Sequence, residues 1–125
     1  MADNTYSTVT PYLIVPDGDA LLRFAKAAFG ATEKQCQRRP DGVIGHAEMQ
    51  IGNSLIMFAQ GGGAWPARPA ALYLWIDDVD ATYKRALDAG GTSESAPEDK
   101  PYGHRNAGVD MGGVTWWLGA PVRKA

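Results

Sequence analysis

The sequence predicts an α+β fold made of two βαβββ modules. Three observations predict it: an element order that recurs at an offset of 60 residues, an amphipathic helix behind a β-rich segment in each half, and a two-residue turn between β-rich runs late in each half. The first segment, "STVTPYLIV", is β-rich. In "PDGDALLRFAKAAFGA", Asp17 or Asp19 can cap a helix whose Leu21, Leu22, Phe24, Ala25, Ala28 and Phe29 form the apolar stripe, with Gly30 as its stop. A loop and a strand follow. Then "GHAEMQI" and "SLIMFA" flank Gly52-Asn53, a pair suited to primed hairpin turns.

The second half runs in the same order. "ALYLWIDDVDATYKRALDAGG" gives a strand from Leu72 to Ile76, a cap at Asp77 or Asp78, a helix with Val79, Tyr83, Ala86 and Leu87 inward, and a stop at Gly90. "NAGVDM" and "VTWWLGA" flank Gly112-Gly113. Adding 60 carries Asp17 onto Asp77, Gly30 onto Gly90 and Gly52-Asn53 onto Gly112-Gly113. The expected organisation is a single domain over 1–125, with module 1–60 and module 70–125 joined by a linker, 61–69. That linker lies in the Gly/Ala/Pro-rich stretch "AQGGGAWPARPAA", which reads as a linker or a lid. One helix covers one face of its sheet, so the other face of each sheet must meet something else.

A chain of 125 residues can bury about two-thirds of its unfolded surface, enough for one domain with a real core. The net charge is −2 and no basic run exceeds Arg38-Arg39, which leaves no footprint for nucleic acid. Small molecules or proteins are the expected partners. No stretch approaches 18 consecutive apolar residues, and "MADNTYSTVT" lacks the charged and apolar regions of a signal peptide, so a cytoplasmic protein without a membrane partner is expected. Cys36 is alone, which excludes an internal disulfide and cysteine-rich zinc sites. The run Gly61 to Gly63 is no phosphate loop, because no Lys-Ser/Thr follows it.

The words "TPYL", "FGA", "GHAEMQIGNSLIMF", "IDDVDATYKRALDAG" and "EDKPYGHRNAGV" followed by Trp, taken with the internal offset, resemble the vicinal oxygen chelate superfamily of glyoxalases, bleomycin-resistance proteins and dioxygenases, and within it the PhnB-like branch. The resemblance implies curved mixed sheets forming a cup-shaped cavity, and a homodimer either side by side or with modules exchanged. In the fold's enzymes a divalent metal sits in the cup, held near the middle of the first and last strand of each module. The matching positions are about Pro11 (or Thr10 if the strand slips by one), Met57, Ala71 and Trp117. None supplies a hard donor, so no metal and no other cofactor is expected unless the ligands have shifted.

Alternation then predicts what lines the cup. Trp117 brings Thr115 with it, and Ala71 brings Tyr73 and Trp75. A two-residue turn pairs Ile51 with Ser54, hence Gln50 with Leu55, Glu48 with Met57 and His46 with Ala59, so His46, Glu48 and Gln50 share the cup face with Met57. Trp75 and Trp117 either face a ligand or meet a dimer partner. Trp65, in the linker, closes over a ligand or packs at an interface, and Trp116 faces the helix side. His46 and Glu48 admit three readings: polar points in an aromatic pocket, two ligands of a shifted metal site whose third donor is as distant as His104, or an acid–base pair. Tyr102, His104 and Arg105 resemble the family's recurring Tyr-Gly-x-Arg stretch. Arg105 either binds an anionic group of a ligand or anchors its loop to Asp99 or Asp110.

The expected function is metal-independent binding or sequestration of an aromatic or amphiphilic small molecule, resembling bleomycin-resistance proteins. The alternatives are a glyoxalase- or dioxygenase-like enzyme working at His46 and Glu48, and a structural or regulatory dimer.

Overall fold

A computed structural model describes residues 6–122, so the outer limits of the two expected modules lie outside the described residues. The first half comprises β1 (Tyr12–Val15), α1 (Gly18–Phe29), β2 (Thr32–Arg38), β3 (Ile44–Ile51) and β4 (Ser54–Gln60). The second repeats it with β5 (Ala70–Trp75), α2 (Val79–Asp88), β6 (Thr92–Asp99), β7 (His104–Met111) and β8 (Val114–Pro121). The strand orders are β1-β4-β3-β2 and β5-β8-β7-β6. In each sheet the first strand runs parallel to the last and the other pairs are antiparallel, giving the mixed α+β architecture that the sequence predicts.

Local chemistry settles the helix ends. Asp17, not Asp19, caps α1: its backbone is extended and its side chain accepts from Ala20 N at 3.1 Å. Asp19 sits in the first turn instead, bonded to Arg38. Gly30 closes the helix at φ 68, a left-handed conformation that suits glycine. Asp78, not Asp77, caps α2 and accepts from Ala81 N at 3.0 Å. Its C-cap is Ala89, with Gly90 following at φ 109. The internal offset is therefore 61 at the N-caps and 59 at the C-caps, because α1 has 12 residues and α2 has 10, and the extra residue Gly90 restores it to 60 beyond the helices. A helix absorbs such a difference as part of a turn, whereas a strand would turn its side chains to the wrong face.

The first strands accordingly stand at an offset of 61: Tyr12 lies beside Met57, and Tyr73 lies beside Trp117. Ala71 is paired with Thr115, and β5 begins at Ala70 rather than Leu72. The first hairpin has the predicted register from Ile51–Ser54 through Ala47–Phe58, including Glu48–Met57. Beyond it, a bulge at Gly45 breaks the alternation: Gln37 pairs with His46 but Arg38 with Ile44. His46 thus keeps its face while Ile44 turns to the helix side, fully buried beside Gly18.

The two helix faces meet in one core. Phe24 and Phe29 of α1 pack on Trp116 of β8, with ring centroids 5.9 and 5.1 Å apart, and Arg85 of α2 donates to the Ala28 carbonyl at 3.3 Å. Leu21, Ile44, Met49, Phe58, Val109 and Val114 complete the dry interior. The opposite, concave face of each sheet stays outside this core. No helix of the described residues is long and apolar enough to cross a membrane.

Candidate functional site

The concave face of the first sheet carries a buried carboxylate. Glu48 is only 6% exposed, paired across the ladder with Met57 and Gln35. Tyr6 Oη donates to its Oε1 at 2.7 Å, and His46 Nε2 lies 3.0 Å from its Oε2. The imidazole also meets the ring of Tyr12 edge to face, with centroids 6.0 Å apart. Such an arrangement fixes the orientation of His46, as an acid–base pair requires, and equally satisfies a carboxylate that the fold has taken out of water. Gln50 lies apart at the hairpin tip, donating to the Gly52 carbonyl at 3.1 Å.

On the second sheet the concave face is aromatic. Tyr73 and Trp75 on β5 lie 5.0 Å apart, Trp75 meets His104 edge to face at 4.9 Å, and His104 meets Tyr102 edge to face at 5.4 Å. Asn106, nearly buried, donates to Tyr102 Oη at 3.0 Å and anchors the far end of the row. Trp117 lies across Gly108, and Tyr73 lies across Gly119. Trp75 is 61% exposed and Tyr102 63%. These rings offer open π surface with few polar points, the surface that holds a flat organic molecule. Past Trp117 on the same face, Thr115 donates to Asp110 at 2.7 Å. The neighbouring Asp110 carboxyl, through shared hydrogen bonding and like charge, holds the Glu94 carboxyl above its ordinary range.

The expected site residues thus fall into two groups. His46, Glu48 and Met57 belong to the first sheet; Tyr73, Trp75, His104, Thr115 and Trp117 belong to the second. The contacts of His46 run to Glu48 and Tyr12, and those of Trp75 to Tyr73 and His104, so each group closes within its own sheet. Arg105 joins neither. It turns to the helix side, where Nε and Nη2 grip both oxygens of Asp80 at 2.9 Å and Nη1 reaches Asp99 at 3.0 Å. Of the anchors expected for it, the structure selects Asp99, adds Asp80 and leaves out Asp110. Trp65, 71% exposed, stands on a linker turn closed by paired backbone bonds with Gly62.

Several members had a weak signal or none. Tyr6 is 42 positions from Glu48, and nothing local links them. Asn106, Gly108 and Gly119 follow from alternation once His104 and Trp117 are placed on one face. A cavity of about 540 Å³ opens along the free edge of β5, between Tyr73, Trp75, Leu74 and the hairpin tip at Ile51 to Ser54.

The donor set does not fit a divalent metal. The positions that the resemblance matches to the family's ligands, Pro11 or Thr10, Met57, Ala71 and Trp117, supply no imidazole, carboxylate or thiolate, and His46 with Glu48 contributes only two donors. His104 is committed to the aromatic row of the other sheet, and among the described residues no three of His, Cys, Asp and Glu gather to hold an ion.

A family model described as the Glyoxalase/Bleomycin resistance protein/Dioxygenase superfamily matches residues 6–118. Uncharacterized protein Mb0911c of Mycobacterium bovis is 35% identical over 136 residues, covering 99% of this chain and 90% of its own. Among solved structures, TioX from Micromonospora sp. ML1 superposes with a TM-score of 0.73 at 24% identity, covering 95% of this chain and 99% of its own. A glyoxalase-related enzyme from Fulvimarina pelagi gives 0.72 at 21% identity, over 91% and 87% respectively. These structural likenesses speak to the fold.

Proposed function

The chain belongs to the glyoxalase/bleomycin resistance protein/dioxygenase superfamily, and we propose that within it the protein binds an aromatic or amphiphilic small molecule without a metal. One observation carries this reading: the open row of Tyr73, Trp75, His104 and Tyr102 on a concave sheet face, continued by Trp117. Stacking on such a row needs no chemical step, and a cavity beside Tyr73 and Trp75 has room for an aliphatic portion of the same molecule. Sequestration of this kind would confer resistance to a toxic ligand. Membership of the PhnB-like branch, a homodimer and a cytoplasmic location are parts of the same proposal; the branch rests on the sequence words given above.

Calorimetric titration of the protein with a panel of planar amphiphilic dyes tests it. At least one dye should bind at micromolar concentration and lose about tenfold in Trp75→Ala, as expected for removal of one stacking ring worth about 1.4 kcal/mol. No binding across the panel, or binding indifferent to Trp75, would sink the reading.

A second reading is favoured by the Tyr6–Glu48–His46 contacts: acid–base chemistry on the first sheet. It requires turnover that is lost in both His46→Ala and Glu48→Gln while dye binding at the other sheet persists.

A further inference from the structure

His46 and Glu48 stand two apart on β3, so alternation turns both side chains to the concave face. A carboxylate has no proton to give, so the two groups that bond Glu48 both donate to it: Tyr6 Oη to Oε1 at 2.7 Å and His46 Nε2 to Oε2 at 3.0 Å. In the neutral imidazole this puts the one ring proton on Nε2 and leaves a lone pair on Nδ1. No hydrogen bond from the described residues reaches Nδ1. Nor is it shut away. Among the described residues the one buried side-chain nitrogen or oxygen without a partner is Trp116 Nε1, so the unpartnered Nδ1 is open to solvent, on a side chain that is 29% exposed.

Beside this lone pair lies an aromatic surface. Tyr12 on β1 is 55% exposed, and its ring meets the imidazole at 69°. Met57, half-buried, stands between Tyr12 and Glu48 in the ladder. Resting on the reading that the protein binds an aromatic or amphiphilic small molecule, we infer that His46 Nδ1 is a hydrogen-bond acceptor on the first sheet that selects aromatic ligands bearing an O–H or N–H donor, phenols being the simplest class. Glu48 is the positioning residue: it fixes the tautomer, and Tyr6 holds its other oxygen. Such a site rejects an analogue that lacks the donor, because the lone pair loses water and gains nothing in return. A histidine that served only to satisfy Glu48 would set stability and leave that preference unmoved.

The experiment titrates the full chain at about pH 8, above the ordinary histidine range, with 2-naphthol and with 2-methoxynaphthalene, which keeps the rings and the oxygen but has no proton to donate. The wild type should prefer 2-naphthol about tenfold, as one neutral hydrogen bond allows. His46→Phe keeps a ring without an acceptor and should bind the two probes alike. Tyr12→Phe should keep the preference, since the acceptor is the imidazole. Glu48→Gln no longer forces the proton onto Nε2, and should lose most of the preference while 2-methoxynaphthalene binds within about twofold of its wild-type affinity. Long-range proton–nitrogen spectra of the wild type cover the case in which a variant does not fold: the histidine whose Nδ1 signal moves on adding 2-naphthol should carry its proton on Nε2. A proton on Nδ1 of that ring, a preference retained in His46→Phe, or one lost in Tyr12→Phe overturns the inference. Equal binding of both probes by a wild type that binds a dye of the panel through Trp75 also overturns it and leaves the ligand-binding reading standing. A wild type that binds neither probe, nor any dye of the panel, overturns that reading and the inference with it.

Discussion

Glu94 shows how a single inserted residue creates a charge problem. The pairing of β6 with β7 shifts between Ser93 and Ser95, so Glu94 is the extra residue of a bulge and its carboxyl meets that of Asp110. A bulge occupies the equivalent place in the first module, between Glu33 and Gln35, which marks it as part of the shared plan. Because the Glu94 carboxyl is raised in the folded protein, its contribution to stability is fully present below the ordinary value of 4.5 and is lost as pH rises through the raised value. Where both carboxyls are ionised they repel. Glu94→Gln removes that repulsion and gives Asp110 an amide donor. Its urea midpoint should exceed that of the wild type at pH 7, and the advantage should shrink toward pH 4. An advantage equal at both pH values would show that the carboxyl pair is not its source.

Between elements, Arg105 does the joining: from β7 it holds Asp80 in the first turn of α2 and Asp99 at the end of β6. The guanidinium keeps the Asp80 carboxyl below its ordinary range, so this stabilisation is present above a pH of about 3.8 and is lost as pH falls through the depressed value. Arg105→Ala should lower the urea midpoint at neutral pH and flatten its decline below pH 4; Arg105→Lys should recover little, since the contact with Asp80 uses two parallel N–H groups. An unchanged acid limb would show that the clasp adds nothing measurable. The same residue shows what sequence can and cannot yield. The order of elements and both hairpin turns were legible because apolar period and turn chemistry act locally, while the mixed sheets were implied by the family resemblance. Arg105's choice of Asp80 depended on how α2 lies over the sheet. The offset of 60, counted from Gly30, does not reveal that the first strands stand at 61, because the length difference is hidden inside a helix. Alternation placed Glu48 opposite Met57, while the contact of Tyr6 with Glu48 needed the complete fold.

For the whole molecule, the decisive fact is that both helix faces are spent on one shared core, which leaves the two concave faces to find cover elsewhere. Tyr12, Tyr73, Trp75 and Tyr102 are all more than two-fifths exposed, and β5 is a sheet edge. Aromatic surface on this scale, next to an open edge, is the surface that the proposed ligand and the proposed second copy would cover. In the proposed homodimer with modules exchanged, a second copy would lay its first sheet opposite the second sheet of its partner, bringing a His46–Glu48 pair to face the aromatic row across a shared space. Each dimer would then hold two such spaces, with the ligand between unlike modules. Light scattering at micromolar concentration should give twice the 13.4 kDa of one chain. The dimer should persist in Trp75→Ala, where a ligand contact is lost, and acrylamide should quench Trp fluorescence less as concentration drives assembly. A monomer throughout that range would leave the aromatic row a one-sided surface and remove the shared space. A dimer that falls apart in Trp75→Ala would instead assign the row to the contact between copies, and the ligand would have to sit elsewhere.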